Sequence, residues 1–463
     1  MNICVVGGGW AGLAAAVAAT QAGHQVTVLE AAHHLGGRAR AVPVDAPDGS
    51  TLLLDNGQHI LIGAYTQTLR LMRTVGVDPE QALLRYPLNL SFPDGGGLVL
   101  PNWPSPFDAL AGIWSVRGWS ASDRGSMLQH AARWQWQRFR CAPHTTVTQL
   151  CAAMSPVVMQ TLIEPLCVSA LNTPAERASA QVFLRVLHDA LLGGKGSSNL
   201  LIPRVDLSAL LPDAAQSWLL QRGAQVRLGC RVHAIRRDDK PSPQSTPGWQ
   251  VQAQQTGRPH PEWDSYDAVV LATSSQVAAQ LVRHAPPPGI ADGQRWAQTA
   301  AALCFESIGT VYLQASRASG PAFAPGAPEH LRHLPRLPHA MLALHSSDRN
   351  PAQFVFDRGQ LGGPAGLLAF VVSASTLDRQ QLTQSVLGQA QTQLSDALQG
   401  AALAHVQTIV EKRATFACTP GLLRPTAAIA PGLWACGDYV EGPYPATLEG
   451  AVRCAQGVVD ALA

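Results

Sequence analysis

Gly7, Gly9 and Gly12 fall at Gly-x-Gly-x-x-Gly spacing, directly after the apolar run Ile3-Cys4-Val5-Val6. Small helix formers follow from Leu13 to Gln21, and Gly23 suits a C-terminal cap. In a strand–turn–helix, the first glycine makes the turn and the second lets backbone approach a pyrophosphate. The third lets helix pack on strand. The helix N-terminus adds free N–H groups and partial positive charge for the phosphates. Gln25 to Glu30 reads as the second strand of a βαβ unit, ending on an acid 18 residues after Gly12. A carboxylate there accepts hydrogen bonds from ribose hydroxyls and repels a 2′-phosphate, which disfavours NADP.

NAD and FAD remain. Gly36-Gly37-Arg38 offers backbone that can pass close to phosphate and a cation to offset its charge. Far downstream, Leu433-Trp434-Ala435-Cys436 reads as a short strand and Gly437-Asp438 follows it. Asp438 can accept a hydrogen bond from a polyhydroxy chain such as ribitol. Pro445 to Ala451 opens a last helix running to about Leu462, placing Thr447 and Leu448 at its start. Its positive end would favour a reduced flavin. A nicotinamide site has no use for this distant second half, so FAD is the expected cofactor.

These pieces must be brought together by a sheet. A strand-rich block at 224–275, broken by a polar loop from Asp238 to Pro247, supplies its middle. Between lie a mostly helical stretch, about 104–200, and a strand-rich one, about 300–415. The expected fold is α/β: a discontinuous Rossmann-like FAD-binding domain (1–65, 205–280 and 410–463) with an inserted α+β substrate domain (66–204 and 281–409). Val182, Phe183, Val186, Leu187, Ala190 and Leu191 make a helical stripe that reads as core or cavity wall. His188 and Asp189 fall off it and are expected in solvent. Gly193 to Ser198 lacks phosphate-loop spacing and reads as a flexible loop, and Pro321 to His339 as a surface loop.

Composition narrows the class. Charged residues make up 14% of the 463, against ~25% in an average soluble protein. Apolar residues reach 46%, which excludes a disordered chain. A net charge of +2, from 33 basic and 31 acidic residues, argues against nucleic acid as a partner. Nine cysteines without a CxxC pair read as reduced cytosolic thiols, with no metal site expected. No basic leader precedes Ile3, and no apolar run reaches ~18 residues. A cytoplasmic protein is expected, free or peripheral on the inner membrane. Trp103, Trp114, Trp119, Trp134 and Trp136, with Phe107, Phe139, Arg133, Arg138 and Arg140, suit a membrane interface or a domain-packing face.

The fingerprint Gly7 to Gly12, Glu30, Gly36-Gly37-Arg38-Ala39, Val232 and Gly437-Asp438 resembles the flavin-containing amine oxidase and phytoene desaturase superfamily. The resemblance implies FAD, a substrate domain over the flavin face, and Val232 touching the adenine through its backbone. Asp55-Asn56-Gly57-Gln58-His59, Pro165 to Pro174 and Pro445 to Ala451 resemble the hydroxysqualene dehydroxylase branch. That branch belongs to bacterial hopanoid synthesis. It implies a long-chain isoprenoid ligand, reductive removal of the hydroxyl of hydroxysqualene to give squalene, and coupling to the enzyme that supplies hydroxysqualene.

Where relatives usually carry a Gly-Pro-Thr turn, this chain has Gly57-Gln58-His59, a polar, titratable group expected beside the flavin ring. Hydroxide leaves poorly, so an acid must protonate the departing oxygen. His59, Glu164 and Tyr444 are the candidates, in that order. Two other readings stand: a carotenoid-type desaturase, and an isoprenoid-binding protein without redox chemistry. An amine oxidase would want a lysine near the flavin. Of Lys195, Lys240 and Lys412, only Lys412 could serve.

Overall fold

Parallel sheets buried on both faces need near-continuous apolar strands, and Ile3-Cys4-Val5-Val6 and Ala268–Leu271 are such strands. In the computed structural model they sit at the centre of a six-stranded sheet. Its order is Gln225–Arg227, Gln25–Leu29, Asn2–Val6, Ala268–Leu271, Leu433–Ala435, Ala428–Ala430. All pairs are parallel except the last. The described residues are 1–45, 51–103, 106–238, 248–285, 293–316 and 336–462. Lys240, the polar loop beyond Asp238 and the expected surface loop up to residue 335 lie outside them.

Helix Trp10–Gln21 is buried at every position from Trp10 to Ala19. Its alanines let it approach the sheet, and the final helix Leu448–Leu462 packs beside it. Register aligns Val6 with Leu29 and Leu271, and Leu271 with Ala435. The C-terminal ends of four strands therefore open onto one crevice, where doubly wound sheets bind ligands.

A second, antiparallel sheet orders Met341–Ala343, Phe354–Asp357, Leu367–Ser373, Phe305–Ser316 and Ala402–Phe416. Leu382, Val386 and Ala390 of helix Arg379–Gln393 belong to the core on one face. Ile308, Phe354, Phe356 and Val371 turn from the other face toward a cavity. Helices Phe107–Ser115, Ala121–Trp136, Glu164–Leu171 and Ala180–Leu192 contribute to the opposite walls. Of the five clustered tryptophans, two belong to the core. Trp119 is buried with its indole N–H donating to Thr161 Oγ1 at 3.0 Å, and Trp134 is buried against the cavity.

One polar cluster ties the turn after Thr51–Asp55 to the second sheet. The Tyr312 hydroxyl donates to the Asp55 carbonyl at 2.7 Å, and Arg358 lies 3.4 Å from the Asp55 carboxylate. The Asp55 side chain also accepts from the Leu207 N–H at 2.8 Å. Burial outweighs Arg358 and this hydrogen bond, and pushes the Asp55 pKa up to about 6. The folded chain therefore holds this proton more tightly than the unfolded chain does. The resulting stability is fully present below the ordinary carboxylate pKa and is lost as pH rises through the folded value. Asp55→Asn is expected to flatten the Tm-against-pH curve between about pH 4 and 6. An unchanged slope in thermal melts would remove Asp55 as its source.

Candidate flavin and substrate site

A cavity of about 1030 Å³ runs from the crevice of the first sheet into the space under the second. Its first half is built from backbone. Gly7 has φ +109°, and a Cβ there would lie 2.6 Å from the Ala272 carbonyl oxygen. A Cβ on Gly12 would meet the Gly7 oxygen at 1.9 Å. Around Gly9, by contrast, nothing lies nearer than Gly37 Cα at 3.8 Å, so the space before the helix N-terminus is open. No side chain caps that helix.

Glu30 is fixed at the cavity edge, accepting from the Gly8 N–H at 2.6 Å and the Ala32 N–H at 2.8 Å. Val232 lines the cavity where the strand Cys230–Arg237 slips register between Val232 and Ala234, which frees backbone from the ladder. Arg38 and Asp438, 400 residues apart in sequence, form an ion pair at 2.7 Å. Gly437, Thr447 and Leu448 line the same wall. The Thr447 hydroxyl donates to the Tyr444 carbonyl and accepts from the Gly450 N–H, holding the last helix's first turn. Tyr444 and Ala446 both take left-handed φ, +58° and +59°. Strain of this kind persists where surrounding structure enforces it.

Gly57, Gln58 and His59 line the junction of the two halves. The Gln58 amide is committed to protein: it donates to Tyr312 Oη at 2.9 Å and accepts from Arg358 at 3.1 Å. Its side chain clamps the turn and leaves only its backbone and edge for a cofactor. Burial and the Arg38 guanidinium push the His59 pKa down to about 4. The imidazole is neutral at pH 7, so its rank as first-choice acid is not supported.

Glu164 does not reach the cavity. Met159–Ile163 forms a π-helical turn, and from there Leu162, Ile163, Leu166, Ser169 and Ala170 face inward. At 3.6 residues per turn, Glu164 falls on the opposite face, and it is exposed. Tyr444 does line the cavity. Burial and the neighbouring Asp189 carboxylate push its pKa up to about 12, so it keeps its proton. Its ring is held by Arg453 at 4.9 Å and edge-on by Tyr65 at 6.0 Å.

Asp189 is buried, contrary to its expected place in solvent, while His188 beside it is exposed. The carboxylate accepts from Arg185 at 2.6 Å and pairs with His188 Nδ1 at 2.8 Å. The Tyr444 hydroxyl faces it closely enough for each group to shift the other's pKa. Burial works against its charge, but Arg185, His188 and Tyr444 hold its pKa below the ordinary value. Arg358 and Tyr312 were not singled out in the sequence, and Asp189 was named only as a residue expected in solvent. Only the Arg185/Asp189 spacing, one helical turn, carried a signal.

A family model described as flavin containing amine oxidoreductase matches residues 10–463. The chain belongs to this family. It is 28% identical over 478 residues to hydroxysqualene dehydroxylase of Rhodopseudomonas palustris, covering 99% of this chain and 97% of that protein. Hydroxysqualene dehydroxylase of Zymomonas mobilis is 25% identical over 479 residues, covering 98% and 97%. An oxidoreductase from Methanosarcina mazei shares the fold, with TM-score 0.68 at 15% identity over 99% of this chain and all of that one.

The flavoenzyme is thus an FAD-dependent oxidoreductase, and its open glycine cradle, bulged Val232 and paired Asp438 fit a flavin dinucleotide. The lysine expected of an amine oxidase does not line this cavity. Lys195 and Lys412 are exposed and neither lines the cavity, so among the described residues no lysine reaches the site. Nor do the described residues include a cluster of groups able to hold a metal ion.

Proposed function

We propose that this flavoenzyme reductively removes the hydroxyl of hydroxysqualene to give squalene in hopanoid biosynthesis. The observation that carries the reading is the second half of the cavity. Its walls are largely aliphatic and aromatic: Leu88, Leu90, Ile113, Met127, Phe183 and Phe356 are among them. A long isoprenoid fits such a lining, and a small charged amine does not. The near full-length likeness to proteins named for this reaction supports it.

In this reading, residues 1–65, 205–280 and 410–463 make the cofactor body and 66–204 and 281–409 the substrate body, with the second sheet's strand Ala402–Phe416 running across the last boundary. Gly7, Gly9 and Gly12 with the helix N-terminus would hold the pyrophosphate, and Gly37 and Arg38 would back it. Glu30 would take a ribose, Val232 the adenine and Asp438 the ribityl chain. Gly57, Thr447 and Leu448 would border the ring. FAD, when bound and reduced, supplies a hydride. The apolar walls exclude water and hold the allylic carbon in place. Tyr444 hands its proton to the departing oxygen, which leaves as water when the C–O bond breaks; the hydride for the vacated position would come from the bound, reduced flavin. Asp189, facing Tyr444 and paired with the exposed His188, is the route by which the proton is restored. The enzyme works in the cytoplasm, supplied by the enzyme that makes hydroxysqualene.

Anaerobic incubation of pre-reduced enzyme with hydroxysqualene tests this directly. Squalene with stoichiometric flavin oxidation is expected. Recovery of intact hydroxysqualene would overturn the reading, and oxidation of a carotenoid precursor by the oxidised enzyme would favour the desaturase. Extraction of bound isoprenoid without turnover would favour a carrier.

A further inference from the structure

Helix Phe107–Ser115 is apolar on two sides. Inward, Ala109 and Ile113 line the cavity. Outward, Phe107 and Trp114 are 63% and 72% exposed, and Leu110 between them is 48% exposed while also lining the cavity. Positions 107, 110 and 114 make one stripe at helical spacing. The neighbouring helix Ala121–Trp136 ends in Trp136, 84% exposed. Its Ala132 and Gln135 are exposed and line the cavity too. The cavity thus reaches the surface between these two helices, at a mouth rimmed by large apolar side chains. A patch of this kind marks an interaction surface.

Its charge says what the partner is. Residues 103–140 contain five arginines, two aspartates, and no lysine or glutamate. That is 5 − 2 = +3, against +2 for the whole chain, so everything else nets −1. Asp108 is buried, and Asp123 is occupied capping its own helix. Arg124 is spent on the carbonyls of Trp114, Val116 and Trp119. Arg117, Arg133, Arg138 and Arg140 are exposed. Tryptophan at the hydrocarbon boundary with arginine at the headgroups is the pattern of a surface that lies on an acidic leaflet.

We infer that this face docks on an anionic lipid surface, and that substrate passes between the bilayer and the cavity through the gap between the two helices. The inference rests on the proposed function only for the apolar character of the ligand.

The test uses flavin-loaded protein without substrate, so its failure is separate from failure of the proposed reaction. Wild type is expected to float with phosphatidylcholine vesicles containing phosphatidylglycerol, and less with phosphatidylcholine alone or at high salt. Trp114→Ser with Trp136→Ser should lower the bound fraction about tenfold. Flavin spectrum and turnover of detergent-dispersed substrate should be unchanged, since neither residue lines the cavity. Arg133→Gln with Arg138→Gln should lose the preference for acidic vesicles. Wild type remaining in the dense fraction with acidic vesicles at low salt overturns the inference. So does a dimer, seen by sedimentation, that the tryptophan variant dissociates: a second copy would then cover the face.

Discussion

A Tyr444→Phe enzyme, reduced beforehand and mixed with hydroxysqualene, is expected to form squalene about 10²–10⁴-fold more slowly than wild type in single turnover. Flavin content should not change, because phenylalanine keeps the ring contacts with Tyr65 and Arg453. His59→Ala should stay within about threefold, since the N–H of a neutral imidazole is a far weaker acid than imidazolium. The pH profile adds an independent check. His59 titrates at about 4 and Tyr444 at about 12. Neither changes state near neutrality, so their contribution to the single-turnover rate should be flat from about pH 6 to 9. A large loss in His59→Ala with little in Tyr444→Phe would move the acid to the turn.

The second large effect concerns the cofactor. Gly12→Val should yield a colourless protein, with flavin absent from the purified chain. The first added carbon already meets the Gly7 oxygen at 1.9 Å. Gly7 is itself held in place, its N–H donating to the Leu29 carbonyl at 2.8 Å. Gly23→Ala is the matched control. Its backbone is left-handed, at φ +82°, unlike that of helical Gly12, and nothing lies within 4 Å of the added carbon. It should cost about 1 kcal/mol of stability and retain full flavin absorbance. Yellow Gly12→Val protein, with flavin absorbance intact, would remove the first turn from the binding site.

The two halves of the site differ in how far they could be read from the chain. The cofactor half is made of local backbone: a glycine is needed where a turn or close approach forbids a side chain. Gly7, Gly12 and the acid at Glu30 carry that need in their spacing. The catalytic half depends on tertiary partners. Asp189 falls off its helix's apolar stripe, as a solvated residue would. It is buried because Tyr444, 255 residues away, comes to meet it.

Glu164 stands before Pro165 in an apolar run. A π-helical turn leaves the same apolar composition but decides which residues face inward, and no residue type announces it. Trp119 and Trp114 were indistinguishable as members of one cluster. Thr161 and the core claimed the first, and the second is left 72% exposed. Arg358 and Tyr312, which clamp the Asp55-to-His59 turn, come from the second sheet and have no motif at all.

The π-helical turn at Met159–Ile163 also bears on how this cavity could be reshaped. Point substitutions at Leu166, Ser169 or Ala170 change the size of one wall position at a time. Loss of a single residue within 159–163 does something different. It restores the ordinary helical repeat and turns one half of the segment by about 100° against the other. A whole strip of wall is exchanged for its neighbour in one step. Length variation in these five residues is therefore a coarse selector of ligand shape, and side-chain variation downstream is the fine one. Libraries meant to retune the pocket should vary both.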